Sequence, residues 1–199
     1  MIKNGLGIIL FFTGSSKLSF PQVSVIGNAK IKSSQLKDMA EAVGLIINDL
    51  GFHLVCGGLG GVMEASCKGH KSGAEPSQTI GILPSLKEHT ANKYTDIIIP
   101  SGLDIGRNQL VVSSGFAIVV LGGGAGTLSE IALASQINKP ILLMKGSGGW
   151  ADKLTDEYLD QRCNSKLYHI SSLDELRITL QKLSLLDSKS GSIDSGHNR

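Results

Sequence analysis

The stretch FAIVVLGGGAGTLSE, residues 116–130, decides the fold class of this chain. Residues 117–121 are apolar at every position, which is typical of a strand buried on both faces of a parallel sheet. A glycine-rich turn follows this strand, and a helical pattern begins at Thr127. A strand, a glycine-rich turn and a helix in this order predict a Rossmann-like α/β domain of three layers, in which helices cover both faces of a mostly parallel sheet.

The rest of the chain repeats this alternation of strand and helix. Short β-branched runs predict strands at residues 23–27, 52–56, 79–83, 97–99, 116–121 and 141–144. Amphipathic stretches predict helices at residues 33–50, 61–72, 104–114, 127–138, 152–159 and 172–185. We expect Ser33 or Ser34 to be the N-cap of the first helix, Gly51 to end it in the left-handed conformation, and Ser172 to open the last helix.

Length and composition predict one domain with a tail at each end. The 199 residues are 41% hydrophobic, which is enough for one buried core. We divide the chain into an N-terminal extension (1–22), a domain (23–185) and a disordered tail (186–199), whose sequence lacks apolar residues that could pack. The extension contains a short apolar run at residues 6–12, too short to span a bilayer, which fits a signal peptide, an extra strand or a disordered segment.

Charge and cysteine content narrow the partner and the compartment. The 19 basic and 17 acidic residues are dispersed, so we expect neither a nucleic acid nor a membrane surface as partner, but a small molecule. Three cysteines without a CxxC spacing argue against a disulfide framework and indicate the cytoplasm. The five histidines show no metal-ligand spacing, so no metal is predicted.

Two glycine-rich turns follow predicted strands, and ligands of open parallel sheets bind outside the carboxyl ends of the strands. Glycine lets backbone amides approach a phosphate closely, and a helix N-terminus favours an anion. The alternative is that the glycines only form tight turns. We predict that both turns contact a phosphate-type ligand. The predicted ligand-binding residues in them are Gly57, Gly58, Gly60, Gly61, Gly122, Gly123, Gly124, Gly126 and Thr127.

Neither turn matches a known nucleotide fingerprint. The GxGxxG pattern lacks its third glycine in both turns, where Met63 and Ser129 stand instead, so NAD is not supported. The sequence contains no GxxxxGK[ST] motif, so it gives no basis for triphosphate hydrolysis of the Walker type.

Two charged residues are candidates for chemistry at this site. Glu130 forms a complete capping-box pattern with Thr127, but a carboxylate at this position could also reach a ribose hydroxyl or orient a water molecule. Arg107, in a helix with Asp104 as the expected N-cap, would grip a phosphate with its guanidinium, or else be a solvated helix charge. Asn108 beside it completes the predicted ligand-binding set.

Two further residues stand near strand ends. Cys56 is expected to be a small buried residue. Trp150 either closes over a ligand or plugs the edge of the domain.

Four segments occur in an order that is typical of a known superfamily: GGLGGVMEAS at 57–66, IGILP at 80–84, GRN at 106–108 and GGGAGTLSE at 122–130. On these segments the chain resembles the LOG-like superfamily of Rossmann-like proteins, often labelled lysine decarboxylases, from about residue 23 to residue 185. Within it, the chain most resembles the molybdenum cofactor carrier proteins. The cytokinin-activating phosphoribohydrolases are related, and the DNA-processing protein DprA more distantly.

The resemblance implies a homodimeric carrier or sensor for a nucleotide or a molybdenum-pterin cofactor. The alternative that it implies is a phosphoribohydrolase, which would use Glu130 and Arg107 to cleave a nucleoside 5′-monophosphate into free base and ribose 5-phosphate. Against this alternative, Leu121 and Asn108 stand where those hydrolases usually carry proline and lysine.

Two other activities of the superfamily are not expected. Single-stranded DNA binding, as in DprA, is disfavoured by the 5% aromatic content and the dispersed lysines. Lysine decarboxylation is not expected either, because a pyridoxal phosphate decarboxylase would be a much larger chain with a lysine Schiff base.

Overall fold

A computed structural model of the chain describes residues 21–160 and 165–193 and confirms the α/β fold. The strands of these described residues form one parallel sheet of seven in the order β4-β3-β2-β1-β5-β6-β7. They are β1 (Gln22–Gly27), β2 (His53–Cys56), β3 (Thr79–Leu83), β4 (Ile97–Pro100), β5 (Ala117–Leu121), β6 (Ile141–Met144) and β7 (Leu167–Ile170).

Helices cover both faces of this sheet. They are α1 (Ser34–Asp49), α2 (Val62–His70), α3 (Arg107–Ser114), α4 (Ala125–Gln136), α5 (Gly149–Lys153) and α6 (Leu173–Ile193), with short 3₁₀ helices at Glu88–Thr90 and Asp104–Gly106. As predicted, Ser33 is the N-cap of α1, where its hydroxyl accepts the amide of Leu36 at 3.5 Å. Gly51 follows that helix with φ +73°, and Ser172 accepts the amide of Glu175 at 3.1 Å at the start of α6.

The strand order reverses at the centre of the sheet. β1 pairs with β2 on one side and with β5 on the other, so that Val23 is aligned with both Leu54 and Ala117. The chain first winds outward from β1 to β4 and then builds β5, β6 and β7 on the opposite side. The connections after β1 and β5 therefore leave in opposite directions, which opens a crevice at the carboxyl ends of these two strands.

The β5 strand shows how the core is divided. Ala117, Val119 and Leu121 belong to the core beneath α1, α2 and α6, whereas Ile118 and Val120 belong to the core beneath α3, α4 and α5. All five side chains are fully buried. The continuous apolar run predicted a strand covered on both faces, and that prediction is confirmed.

Helices α1 and α2 touch backbone to backbone. A Cβ atom added at Gly44 would overlap the carbonyl group of Ser66, and one added at Gly69 would overlap the carbonyl group of Glu41. This contact fixes the position of α2 and, with it, the glycine-rich turn from which α2 starts.

Gly44→Ala is expected to lower the free energy of unfolding by about 1–3 kcal/mol, because the added methyl group forces α1 and α2 apart in a packed interior. Urea denaturation measures this loss. The control is Gly106→Ala, where the added Cβ would lie 3.7 Å from its nearest neighbour and the change should stay within about 0.5 kcal/mol. Equal stability of the two variants would show that the α1–α2 contact can relax.

Three elements differ from the sequence prediction. Strand β7 was not predicted, because LYHI is a short edge strand whose Tyr168 and His169 are only half-buried. The helix predicted at 152–159 is wrong: α5 spans Gly149–Lys153, and Leu154 is extended. At the end of α5, the ammonium group of Lys145 donates hydrogen bonds to the carbonyl oxygens of Ala151 and Leu154 at 2.8 and 2.7 Å.

Helix α6 runs to Ile193, beyond the predicted end of both helix and domain at residue 185. The apolar run at 6–12, Cys163, His197 and the last residues of the predicted tail lie outside the described residues. Within the described ranges, no helix combines the length and apolar character needed to cross a membrane.

Candidate functional site

A cavity of about 290 Å³ lies in the crevice where the strand order reverses. We call it the central cleft. Its wall comes from the end of β1, the turn after β2 and the first turns of α2, α3 and α4. The lining residues are Val25, Ile26, Gly27, Asn28, Ala29, Gly57, Leu59, Met63, Arg107, Asn108, Gly124, Gly126, Thr127 and Glu130.

The central cleft brings together predicted site residues from three distant segments. They are Gly57, Arg107, Asn108, Gly124, Gly126, Thr127 and Glu130. Five predicted ligand-binding residues do not line it: Gly58, Gly60, Gly61, Gly122 and Gly123. The backbone of these glycines shapes the turns.

The first two glycines of the turn after β5 are held by hydrogen bonds within the protein. The amide of Gly122 donates to the hydroxyl of Ser147 at 2.8 Å, and the amide of Gly123 donates to Oδ1 of Asn28 at 2.5 Å. Both glycines have positive φ angles, 65° and 108°, which residues with a Cβ atom rarely adopt. Their amides are therefore already satisfied, and they position the start of α4.

In the turn after β2, too, some glycines are held by contacts within the protein and do not line the cleft. Gly58, with φ +70°, donates its amide to the sulfur of Cys56 at 3.3 Å. Gly61, also with φ +70°, is the N-cap of α2 and lies against the carbonyl group of Asn28, which accepts the amide of Val62 at 2.8 Å. Only Gly57 of the four predicted glycines in this turn lines the cleft.

Helix α4 presents its N-terminus to the cleft. The helix begins at Ala125, its N-cap is Gly124, and no side chain caps it. The first amides of a helix have no partner within the helix, and they carry its positive dipole end. A Cβ atom at Gly124 or Gly126 would meet nothing within 4 Å, so the approach to these amides is open.

The capping-box interpretation of Thr127 and Glu130 is wrong. Because α4 starts at Ala125, both residues lie inside the helix and Thr127 is not the N-cap. One turn into the helix, Glu130 points into the cleft and is only 7% exposed. The glutamate therefore does not cap α4, contrary to what the sequence pattern predicted.

Arg107 and Glu130 face each other inside the cleft. Nη1 of Arg107 lies 3.7 Å from Oε1 of Glu130, and their side chains are 11% and 10% exposed. The guanidinium packs directly on Gly57, where any Cβ atom would overlap it. A larger residue at position 57 would displace the flexible end of the arginine side chain, so glycine lets the guanidinium keep this position.

Arg107 reaches this position from the first residue of α3, and the predicted cap of that helix is wrong. Asp104 stands in the preceding 3₁₀ helix with φ +50°, and its amide donates to the carbonyl of Pro84 at 2.9 Å. The N-cap of α3 is Gly106, without a side-chain hydrogen bond.

Burial raises the pKa of Glu130 from 4.5 to about 7, against the opposing effect of the Arg107 guanidinium. A carboxyl group with a pKa near neutrality can both donate and accept a proton at physiological pH, which is the property of a general acid or base. The arrangement can therefore hold an anion at Arg107 and the α4 amides, and exchange a proton at Glu130.

The raised pKa of Glu130 makes the stability of the fold depend on pH. The Glu130 carboxyl group binds its proton more tightly in the folded protein than in the unfolded chain. The protein therefore loses stability as the pH rises from the pKa of the unfolded chain, 4.5, to that of the folded protein, about 7. The loss is on the order of 3 kcal/mol, because each pKa unit corresponds to about 1.4 kcal/mol. Urea denaturation at pH 5 and pH 8 should show Glu130→Gln losing less stability than the wild type over this interval. Identical pH profiles would contradict the raised pKa.

Sequence reasoning missed Asn28, which joins the two glycine-rich turns. Its side chain holds Gly123 and its carbonyl group holds Val62. The signal was available, because residues after the central strand of a doubly wound sheet border the crevice, but only turns rich in glycine were considered. Leu59 and Met63 were missed as well, since an apolar lining residue looks like any core residue.

Of the remaining candidates, Asn108 lines the cleft, whereas Cys56 and Trp150 do not. Asn108 is buried and donates to the hydroxyl of Ser129 at 3.2 Å. Cys56 is fully buried, as predicted, with its sulfur 3.6 Å from that of Cys67. Trp150 does not line the cleft but packs against the core beneath α3, α4 and α5. Among the described residues, no group of three or more His, Cys, Asp or Glu side chains could hold a metal ion.

The doubly wound sheet and the cleft at its switch point define a Rossmann-like α/β protein. The chain belongs to the SLOG cluster4 family, whose model matches residues 20–177. An uncharacterized protein from Archaeoglobus fulgidus is 40% identical over 124 residues, which are 62% of this chain and 80% of that protein.

Solved structures share the fold. The molybdenum cofactor binding protein from Rippkaea orientalis is 29% identical with a TM-score of 0.73, over 84% of this chain and 99% of that one. The molybdenum cofactor carrier protein from Chlamydomonas reinhardtii is 29% identical with a TM-score of 0.70, over 83% and 99%. The DNA processing protein A from Helicobacter pylori, 19% identical with a TM-score of 0.60 over 81% and 80%, shares the fold alone.

Proposed function

We propose that the protein is a carrier or sensor that binds a phosphate-bearing small molecule in the central cleft, either a nucleotide or a molybdenum-pterin cofactor. The observation that carries this proposal is the uncapped N-terminus of α4, which opens through Gly124 and Gly126 toward a cavity that also contains the Arg107 guanidinium. A helix N-terminus and a guanidinium both bind phosphate readily.

The cleft and the related structures support this proposal. A volume of about 290 Å³ lies just below the range of about 300–1,000 Å³ found for small-molecule sites. Two of the similar structures are described as proteins that bind or carry the molybdenum cofactor. Backbone amides recognise the phosphate and not the group attached to it, so a nucleotide and a pterin are both compatible with α4. The proposal includes a homodimer, which the family resemblance implies, and a cytoplasmic location, which the cysteine content indicates.

Thermal unfolding with and without ligand tests the proposal. AMP, a pyrophosphate-containing nucleotide and molybdopterin are each added to the isolated protein, and adenosine serves as the control without a phosphate. We expect at least one phosphate-bearing compound to raise the unfolding temperature, because a ligand that binds only the folded state stabilises it, while adenosine has no effect. No shift with any of these compounds would reject the proposal.

A second function is favoured by the environment of Glu130. With a pKa of about 7 and Arg107 beside it, this carboxyl group could stabilise a ribosyl cation or activate a water molecule while the arginine positions the phosphate. This would make the protein a phosphoribohydrolase for nucleoside 5′-monophosphates. Asn108, which lines the cleft where the hydrolases usually carry lysine, argues against it.

Release of free base from AMP distinguishes the two functions. A hydrolase should liberate adenine, and Glu130→Gln should abolish the release while AMP still binds. Intact AMP after prolonged incubation at high protein concentration would reject the hydrolase and leave the carrier or sensor.

A further inference from the structure

A second cavity, of about 330 Å³, lies beside the central cleft at the same edge of the sheet. Its wall comes from the N-terminal half of α1, from α2 and from the loops that precede α1 and β4. Three lysines line it: Lys37, Lys68 and Lys93. We call it the lysine cavity.

Only one residue on each of two segments separates the lysine cavity from the central cleft. Before α1, Ala29 lines the cleft and Ile31 lines the lysine cavity. In the turn after β2, Leu59 lines the cleft and Gly61 lines the lysine cavity. At Gly60, between these two, an added Cβ atom would meet nothing closer than 3.8 Å. Gly60 contributes no side chain to this divide, and the atoms nearest to an added Cβ are the carbonyl oxygen of Ala29 and Oε2 of Glu64, each at 3.8 Å.

The lysine cavity carries an excess of positive charge. Both carboxylate oxygens of Glu41 bind the ammonium group of Lys68 at 2.9 Å, which neutralises that lysine. Lys37 and Lys93 make no ion pair with any residue that the structure describes, and the Lys93 ammonium lies 5.1 Å from the centre of the Tyr94 ring. Glu64 is the other carboxylate in the wall. Two lysines thus face one glutamate, and the wall as a whole attracts an anion.

We propose that the lysine cavity binds a second phosphoryl group of the ligand whose first phosphate lies at the N-terminus of α4. This rests on the proposed function and narrows its ligand to compounds that carry more than one phosphoryl group. Lys37 and Lys93 approach from α1 and from the loop before β4, so they would hold the group from two sides. Neither lysine belongs to the central cleft.

The experiment measures the affinity for inorganic pyrophosphate by titration calorimetry at constant ionic strength. The double variant Lys37→Gln/Lys93→Gln should bind pyrophosphate at least about tenfold more weakly than the wild type, because it loses two charge-assisted hydrogen bonds. Lys182→Gln, on α6 and remote from both cavities, removes one exposed lysine charge and should bind like the wild type. Both lysines of the double variant are exposed, so its thermal unfolding should match that of the wild type.

AMP binding to the wild type separates this proposal from the proposed function. If pyrophosphate binds and the double variant binds it as tightly as the wild type, the lysine cavity is not an anion site, and AMP binding can still support the central cleft. If pyrophosphate affinity falls only in the double variant, the lysine cavity is an anion site even where AMP does not bind. An equal loss in Lys182→Gln, or no pyrophosphate binding to the wild type, would overturn the proposal.

Discussion

Gly126→Asp is expected to lower the affinity for a phosphate-bearing ligand by at least about 100-fold, because juxtaposed like charges cost several kcal/mol. Gly126 is the second residue of α4 and lines the cleft, and a side chain there would project into open space. The new carboxylate would occupy the position next to the α4 amides where we place the phosphate. Titration calorimetry with AMP, or with whichever compound raises the unfolding temperature, measures the loss.

The same substitution should leave the fold intact. An acidic residue in the first turn of a helix stabilises it by about 0.3–1 kcal/mol, and glycine is a poor helix former. We therefore expect Gly126→Asp to unfold at or above the temperature of the wild type while it fails to bind.

Two controls resolve the cause of the loss. Gly126→Asn has the same shape as the aspartate variant without its charge, and Gly126→Ala adds a single carbon atom. Binding should be strongest in the alanine variant, intermediate in the asparagine variant and weakest in the aspartate variant. Equal losses of affinity with asparagine and aspartate would mean that the size of the new side chain, and not its charge, blocks the ligand. Wild-type affinity in the aspartate variant would mean that the ligand binds elsewhere.

Arg107→Ala should weaken ligand binding by about 10- to 150-fold, the equivalent of losing about 1.5–3 kcal/mol from hydrogen bonds to a charged group. The guanidinium is 11% exposed and held between Gly57 and Glu130, so it is ordered before a ligand arrives. Arg107→Lys keeps the charge but loses the planar fork, and it should recover only part of the affinity. Calorimetry with the same ligand gives both values.

Removal of the arginine should cost the fold little, for a reason specific to this pair. Breaking a buried ion pair usually destabilises a protein by about 3–5 kcal/mol, because a charge stays behind unpaired. Here the pKa of Glu130 is already about 7, and without Arg107 it rises further, so Glu130 becomes protonated at neutral pH. Arg177→Ala is the matched control, because Arg177 pairs with Asp49 at 2.8 Å on the surface and should not affect binding. Unchanged affinity in Arg107→Ala would show that this arginine does not bind the ligand.

The central cleft could be predicted from the sequence only in part. The sequence predicted the strand and turn at 116–126 and singled out Arg107 and Glu130. This was possible because glycine, arginine and glutamate indicate their chemistry by residue type alone. The roles within the turns were not readable. Gly122 and Gly126 look alike in the sequence, but the amide of Gly122 is held by Ser147, whereas Gly126 lies at an open helix start.

The errors at helix ends share one physical origin. The capping box at Thr127 and the cap at Asp104 were inferred from local polar side chains, and the helix at 152–159 was inferred from an amphipathic stretch. Hydrogen bonds outside these local patterns decided two of the three cases: the amide of Asp104 donates to Pro84, and Lys145 donates to the carbonyl groups of Ala151 and Leu154 at the end of α5. Local propensities are worth about 1 kcal/mol, and a few tertiary hydrogen bonds outweigh them.

The sequence by itself determined the fold class, because a fully apolar strand, a glycine-rich turn and helical periodicity are local features that only a parallel sheet between two helix layers can satisfy together. Only the tertiary structure decided what the GGGAGTLSE segment does. Its first glycines are bound by Asn28 and Ser147, which are remote in the sequence, and its glutamate faces an arginine from another helix. Burial and partners set the pKa of that glutamate, and both depend on which distant segments the fold brings together.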